Sequence, residues 1–291
     1  MKLIDTHCRL FIDPLARDIE GVLERAKEAE IDRILVPAFD FASWNTICQL
    51  GHRPEVLPAL GLHPLAAGQV ATPDAPPVKL TSVFIANMMN AGDDSEADKP
   101  VEPPLFQSLT EFRDALASNL DACNAVAIGE IGLDLTVKRP TPTEQRAVLR
   151  AQLELAVDLD LPVILSCRNG WELLVATLQP LAGKIRGVLH GYTRTPELAY
   201  PFLGCGFYVS FSGAISRPLV KRARHSAEVL PLDRILLETD APHVGLEGID
   251  APYTEPHHLL KVAETLAGIR KTSVEEIART TNDNVRTLFR I

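Results

Sequence analysis

The chain has 291 residues, of which 46% are hydrophobic, and it carries a formal net charge of −9. Its length and apolar content exclude a mainly low-complexity chain and are sufficient for one large core. The negative charge excludes long-range attraction of polyanions by the whole molecule, so any contact with nucleic acid must be local.

Short apolar runs alternate along the chain with patterns typical of helices. Runs rich in Val, Ile and Leu predict strands at 3–9, 33–38, 57–63, 125–132, 162–168, 186–191, 207–212 and 234–241. Helices are predicted at 16–30, 42–51, 109–120, 143–160, 171–180, 195–204, 216–229, 255–269 and 273–288. This alternation predicts an α/β fold made of βα units around a parallel sheet. Barrels of this type commonly reach this length as one domain, so we predict a single domain over 1–291.

The longest interval between predicted strands follows residue 63. The next strand is predicted only at 125, and the interval contains several prolines and an acidic stretch at 93–98. We interpret 68–107 as an insertion after the third strand. In a closed barrel this loop would leave the carboxyl end of the strand, where barrel active sites are built. We predict a lid over the site, and the alternative is a mobile surface decoration or an arm that docks a protein partner, because long loops in compact domains are usually functional or mobile.

Ionisable side chains lie at the carboxyl ends of four predicted strands. Glu130 interrupts an apolar run between two glycines, and a buried carboxylate there requires a cation or several hydrogen-bond donors. His7, His190 and Asp240 lie at the ends of three other runs. Taken alone, His7 fits a structural histidine better than a ligand, whereas Glu130 is the stronger functional signal and a structural ion pair is its alternative. Because all four would meet at one mouth of a closed barrel, the set favours a metal site.

Strand alternation also groups polar side chains on single faces. On the fifth strand Ser166 and Arg168 share a face, and Arg168 suits two-point hydrogen bonding to a phosphate or carboxylate. The alternative for Arg168 is a salt bridge inside the barrel with Glu130 or Glu238. Glu238 shares a face with Asp240, which predicts a carboxylate pair for ligation and proton transfer.

The five cysteines are widely spaced and form no Cys-x-x-Cys pair, which favours a reducing cytoplasm over a disulfide scaffold. The first residues lack the apolar core of a signal peptide, and no run of about 18 apolar residues predicts a membrane span. We therefore expect a cytoplasmic protein with no membrane contact.

The motifs in this sequence resemble those of the TatD family of metal-dependent deoxyribonucleases. The resemblance is carried, in order, by Ile-Asp-Thr-His-Cys at 4–8, Gly-Leu-His-Pro at 61–64, Ile-Gly-Glu-Ile-Gly-Leu-Asp at 128–134 and Glu-Thr-Asp-Ala-Pro at 238–242. It implies a (β/α)8 TIM barrel and a hydrolase that cleaves phosphodiester bonds, with single-stranded DNA or DNA ends as substrate. The insertion at 68–107 is not part of the resemblance.

The resemblance also implies a metal centre. Members of that family hold two divalent ions with a His-x-His pair, a bridging Glu, two further His and an Asp. Here it implies four ligands: His7, Glu130, His190 and Asp240. It places Arg9 and Ser166 at two further ligand positions, so that Arg9 must turn away from the centre or replace an ion. Because His7, Glu130 and Asp240 keep three ligands together, we predict a single ion there, Mg²⁺, Mn²⁺ or Zn²⁺.

The implied roles follow from these positions. Asp240 is predicted as the general base and Glu130 as the other catalytic residue, while Arg9, His63 and Arg168 are predicted to hold substrate phosphate. Two lost ligands favour a second hypothesis, an impaired or inactive barrel that binds nucleic acid or a protein partner through the insertion. A third hypothesis is a metal-dependent hydrolase acting on C–N or ester bonds.

Overall fold

The computed structural model describes residues 2–72 and 104–291, and in it eight strands form one parallel sheet in the order of the chain. The strands are β1 (Leu3–Asp5), β2 (Ile31–Pro37), β3 (Val56–Leu60), β4 (Ala127–Asp134), β5 (Val163–Arg168), β6 (Gly187–Leu189), β7 (Phe207–Phe211) and β8 (Ile235–Leu237). The two edges meet, because the Thr6 N–H donates to the Leu237 carbonyl at 3.1 Å and Cys8 forms a parallel bridge with Ala241. The predicted TIM barrel is confirmed.

Helices lie between the strands, as the pattern predicts. They are α1 (Ile19–Glu28), α2 (Phe41–Leu50), α3 (Leu109–Ala122), α4 (Pro142–Asp158), α5 (Trp171–Leu178), α6 (Pro196–Gly204), α7 (Lys221–Val229), α8 (Leu259–Arg270) and α9 (Val274–Phe289). Three predicted helices start later than expected, because a short 3₁₀ turn comes first at Leu15–Asp18, Gly213–Ser216 and Pro256–His258. For α1 the reason is local, since the Asp18 carboxylate accepts from the Gly21 N–H and fixes the helix start there.

The first and last strands are shorter than predicted. Regular pairing in β1 ends at Asp5 and in β8 at Leu237. The Asp5 carboxylate accepts the backbone N–H groups of His7 at 3.2 Å and Thr239 at 2.9 Å, so these amides bond to a side chain instead of a neighbouring strand. The residues beyond each strand therefore turn toward the mouth of the barrel.

The barrel interior is closed at one end by α9. Each strand contributes one residue to a buried cluster: Ile4, Leu35, Ala59, Ala127, Ile164, Val188, Tyr208 and Leu236. Val285, Leu288 and Phe289 of α9 belong to the same cluster. The Asn282 amide donates to the Lys2 carbonyl and the Asn284 amide to the Ile235 carbonyl, both at 2.8 Å and both at strand starts. The amino ends of the strands are thus covered, and a site is left to the carboxyl ends.

The described ends of the predicted insertion are paired. The Ala71 N–H donates to the Phe106 carbonyl at 2.8 Å, and the Phe106 N–H donates to the Gln69 carbonyl at 3.0 Å. Phe106 is buried and its ring contacts Trp44 and Phe112. Most of 68–107 lies outside the described residues, so its predicted roles as lid or docking arm stay predictions.

All five cysteines are free thiols. Within residues 2–72 and 104–291, no helix combines the length and the apolarity that crossing a bilayer requires.

Replacing Gly132 with Ala should destabilise the barrel strongly. Gly132 has a φ of +147°, and a Cβ atom there would lie 1.9 Å from the Ser166 carbonyl oxygen on β5. Since backbone atoms must move to relieve this overlap, we expect a loss of roughly 4 kcal/mol and a melting temperature lower by roughly 10 °C. Thermal unfolding followed by circular dichroism measures it. Gly204→Ala is the matched control, because no atom lies within 4 Å of its added Cβ; equal melting temperatures for both variants would contradict the expectation.

Candidate metal centre

The four predicted metal ligands, His7, Glu130, His190 and Asp240, lie together at the carboxyl ends of the strands. His7 Nε2 lies 3.4 Å from Glu130 Oε2 and 3.8 Å from Asp240 Oδ1. His190 Nε2 lies 3.5 Å from Glu130 Oε1. The rings of His7 and His190 stack with centroids 3.7 Å apart. Residues from β4, from the end of β6 and from the extensions of β1 and β8 therefore form one cluster.

The junction between β1 and β8 positions two members of this cluster. Asp5 is fully buried and accepts hydrogen bonds from the Thr239 hydroxyl and from the amides of Thr239 and His7. The Asp240 N–H donates to the His7 carbonyl at 2.9 Å. Burial raises the pKa of Asp5 to about 7, although the hydrogen bonds from Thr239 and His7 oppose the rise. His7 and Asp240 are thereby held in a fixed relation by backbone contacts.

Glu238 orients His190. Its Oε1 accepts from the Gly191 N–H at 2.7 Å and lies 3.1 Å from His190 Nδ1. Because a carboxylate only accepts, Nδ1 carries the proton and Nε2 turns to the cluster, as in carboxylate–histidine–metal arrangements. Burial lowers the pKa of His190, but the charges of Glu238, Glu130 and Asp240 outweigh it and raise that pKa to about 9.

The predicted pairing of Glu238 with Asp240 is therefore not the contact that forms. Asp240 has a φ of +53°, which breaks the strand alternation on which that expectation depended. Glu238 Oε1 bonds to His190 and Gly191, while Asp240 turns to Arg9.

Arg9 occupies the middle of the predicted ion site. Its guanidinium forms an ion pair with Glu130 Oε2, a second with Asp240 Oδ1 at 2.8 Å, and a hydrogen bond with His243 Nδ1 at 2.9 Å. Its exposed fraction is 4%. Although burial raises the pKa of Glu130, the charges of Arg9, His190 and His63 hold it well below its ordinary value. Of the two outcomes left open by the sequence, Arg9 takes the second, since it stands in for a cation.

The remaining donors still fit one divalent ion. Ligand atoms of His7, His190 and Asp240 all lie within 4.8 Å of one another. Both ring nitrogens of His7 are buried and have no hydrogen-bond partner among the described residues. Burial and the charges of His190 and Arg9 lower the pKa of His7, which keeps a nitrogen lone pair available. An unpaired buried nitrogen is costly, and an ion would supply its partner.

This donor set differs by one residue from the predicted centre. It keeps His7 and Asp240 and has His190 in place of Glu130, whose carboxylate bonds to Arg9. Two imidazoles and one carboxylate with open positions form the usual ligand pattern of a catalytic zinc ion, and imidazole favours Zn²⁺ or Mn²⁺ over Mg²⁺.

His63, predicted to hold substrate, contacts the protein itself. Its Nδ1 accepts from the Leu65 N–H at 3.2 Å, and its Nε2 lies 3.4 Å from Glu130 Oε1. The ring stacks on Phe39 with centroids 4.7 Å apart. This geometry favours a role in positioning Glu130, and a contact of His63 with substrate stays a prediction.

Arg168 and Ser166 lie at the end of β5. Arg168 is exposed, and among the residues that the structure describes it has no ion pair. The alternative salt bridge does not form, because Glu130 pairs with Arg9 and Glu238 with His190. Ser166 is half-buried and pairs in register with Gly132. Arg168 is therefore free to bind an anion from solution.

Sequence reasoning missed His243. This residue follows the Asp-Ala-Pro segment, and its N–H donates to the Asp240 carbonyl at 2.9 Å in a tight turn. Strand alternation says nothing about a residue in a turn. The available signal was a histidine three positions after a predicted ligand, at the mouth of the barrel.

A closed parallel barrel with imidazole and carboxylate groups at its carboxyl end has the architecture of the barrel-shaped metal-dependent hydrolases. A family model described as TatD related DNase matches residues 4–290, and the chain belongs to this family.

Named relatives agree with this membership. An uncharacterized metal-dependent hydrolase of Escherichia coli, YjjV, is 31% identical over 100% of this chain and 98% of its own length. Its crystal structure matches 99% of this chain and 98% of its own, with a TM-score of 0.79. The human deoxyribonuclease TATDN3 is 31% identical over 99% of this chain and 94% of its own. The Escherichia coli 3'-5' ssDNA/RNA exonuclease TatD is 34% identical over 66% of this chain and 75% of its own.

Proposed function

We propose that this TatD-like hydrolase cleaves phosphodiester bonds of DNA, with single-stranded DNA or DNA ends as substrate, and uses one divalent ion. The observation that carries the proposal is the buried, unpartnered imidazole of His7 beside His190 and Asp240. Its Nδ1 has no hydrogen-bond partner among the described residues, and its Nε2 lies 3.4 Å from Glu130 Oε2 without forming a hydrogen bond, so an ion would supply the missing partner.

The charges of the centre favour one ion over two. Glu130, Asp240 and Glu238 carry three negative charges and Arg9 carries one positive charge, since His190 must be neutral to bind an ion through Nε2. One dication therefore neutralises the centre. A second dication would concentrate positive charge next to a guanidinium that does not lose its proton.

The residues of this chain would divide the work around the ion. A divalent ion held by His7, His190 and Asp240 supplies Lewis-acid polarisation of the phosphoryl oxygen and activation of water. Asp240 accepts the proton of the attacking water through the carboxylate oxygen that does not bond to Arg9. Arg9 neutralises charge that develops on the phosphoryl oxygens, with Glu130 and Asp240 fixing its orientation. Arg168 binds a neighbouring substrate phosphate at the rim.

The substrate class comes from the relatives. One is named a deoxyribonuclease and another a 3'-5' ssDNA/RNA exonuclease. A buried two-His, one-Asp centre also suits hydrolysis of C–N or ester bonds. The choice of nucleic acid as the substrate therefore depends mainly on similarity to these relatives. We also propose that the protein acts on nucleic acid in the cytoplasm.

A second candidate is a barrel with little catalysis that binds DNA or a protein partner. The observation that favours it is Arg9, which neutralises the two carboxylates without any ion. In this candidate the insertion at 68–107 is the docking element, and most of it lies outside the described residues.

A nuclease assay separates the two candidates. Protein stripped with a chelator should be inactive on single-stranded DNA, and Mn²⁺ or Zn²⁺ should restore cleavage, because water activation requires the ion. Glu130→Ala should lower turnover by at least about a hundredfold, since Arg9 loses the partner that orients it. Glu264→Ala, at an exposed position on α8, is the control. DNA binding without cleavage under every ion would favour the second candidate.

A further inference from the structure

His243 has a fixed tautomer because of its contact with Arg9. Arg9 Nη1 donates to Asp240 Oδ1 at 2.8 Å and lies 2.9 Å from His243 Nδ1. A guanidinium can only donate hydrogen bonds, so His243 Nδ1 must be the acceptor. The ring proton of neutral His243 is therefore on Nε2.

The Nε2–H of His243 is an unused donor. The only side-chain hydrogen bond of His243 in the described part of the chain is the one with Arg9. The residue is half-buried, and Nε2 does not belong to the enclosed polar atoms that lack a partner. This N–H therefore reaches solvent at the barrel mouth.

The turn that carries His243 holds the donor in place. The N–H groups of His243 and Val244 both donate to the Asp240 carbonyl, at 2.9 and 3.1 Å. Asp240 in turn bonds to the His7 backbone and to Arg9. The imidazole is thus tied to the centre through its backbone and through its ring, and it needs no rearrangement before it meets a ligand.

We propose that His243 is a substrate-binding residue, whose Nε2–H binds a phosphate oxygen beside the positive charge of Arg9. The identity of the ligand as a phosphodiester rests on the proposed function, whereas recognition of a phosphate oxygen follows from the donor and the adjacent cation. His243 performs two tasks with its two nitrogens. Nδ1 holds Arg9, and Nε2 binds the substrate.

Asparagine and glutamine separate these two tasks. In His243→Asn the side-chain oxygen takes the place of Nδ1 and can still accept from Arg9, but the distal donor is lost. In His243→Gln a distal N–H₂ donor remains near the place of Nε2, and the proximal acceptor is lost. His243→Ala removes both.

The probe is inorganic phosphate, titrated into protein loaded with one equivalent of Zn²⁺ and followed by ³¹P NMR. Loss of one hydrogen bond to a charged ligand should weaken phosphate binding about tenfold in His243→Asn and His243→Ala. His243→Gln should stay closer to wild type. Metal analysis of every variant checks that ion occupancy is unchanged. Wild-type affinity in His243→Ala, or no phosphate binding by the wild type, would overturn the proposal.

NMR of the ring nitrogens tests the tautomer independently of folding and activity. We expect a protonated Nε2 and an unprotonated Nδ1, with phosphate shifting the Nε2 signal. A protonated Nδ1 would overturn the proposal.

Kinetics on single-stranded DNA distinguish failure of the proposed role of His243 from failure of the proposed function. If DNA is cleaved and His243→Ala leaves KM unchanged, the role of His243 is wrong and the hydrolase stands. If phosphate binding depends on His243 but no DNA is cleaved, the role stands and the hydrolase is wrong.

Discussion

Replacing Arg9 and Ser166 together with histidine should change the protein from binding one divalent ion to binding two. The double variant R9H/S166H supplies imidazoles at the two positions where the resemblance implies them. Chelator-stripped protein, reloaded with Mn²⁺ or Zn²⁺ and dialysed, should hold one equivalent in the wild type and two in the double variant. Metal analysis by mass spectrometry gives the stoichiometry directly.

The physical reason is the charge of Arg9. At an effective dielectric of 20, a guanidinium about 4 Å from a dication experiences roughly 8 kcal/mol of repulsion. Even a part of this energy weakens ion binding by more than about a hundredfold, since 1.4 kcal/mol corresponds to a factor of ten. Arg9 contacts both Glu130 and Asp240, so no ion can share these two carboxylates while the guanidinium stays there.

Arg9→Met is the matched control for this experiment. It removes the charge but offers no nitrogen ligand, so one ion should bind more tightly and no second ion should appear. Two tightly held equivalents in the wild type would contradict both the prediction and the single-ion proposal.

Asp240→Asn should lower hydrolysis by at least about a thousandfold, because loss of a general base alone costs a factor of about 10² to 10⁴. The amide has nearly the same shape as the carboxylate but cannot accept the proton of the attacking water. It also removes one of the two negative charges that hold Arg9. Initial rates on single-stranded DNA with saturating metal measure the effect.

Asp240 is proposed both as ligand and as base, so ion occupancy must be measured on the same samples. Loss of turnover with the ion retained assigns the base, and loss of both assigns the ligand. Asp233→Asn is the control, since this carboxylate is exposed just before β8. Unchanged turnover in Asp240→Asn would rule out both roles.

The barrel and the meeting of its polar residues follow from the sequence because both depend on periodicity. Alternating apolar runs and helical patterns define the order of elements, and carboxyl ends of parallel strands share one mouth. His7, Glu130, His190 and Asp240 could therefore be brought together without coordinates. The extent of β1 and β8 could not, because the side chain of Asp5 takes amides that a longer strand would have paired.

The contacts inside the centre depend on where individual charges lie, and periodicity carries no such information. The sequence left Arg9 with two directions, and the choice depends on acceptors from two separate segments, Glu130 on β4 and the turn with Asp240 and His243 after β8. Likewise, His63 was predicted to hold substrate phosphate only because it lies in the Gly-Leu-His-Pro motif. Its contact with Glu130 requires the closure of β3 beside β4, which only the folded chain provides.

The way in which α9 covers the amino ends of the strands has a practical use. Ile291 directly follows the C-terminal cap of this helix and has an exposed fraction of 41%. A tether or fluorophore attached there projects from the side of the molecule opposite the reactive opening. Immobilised protein would then present that opening to the bulk solution, so that polymeric nucleic acids and small phosphate probes reach it without hindrance from the support.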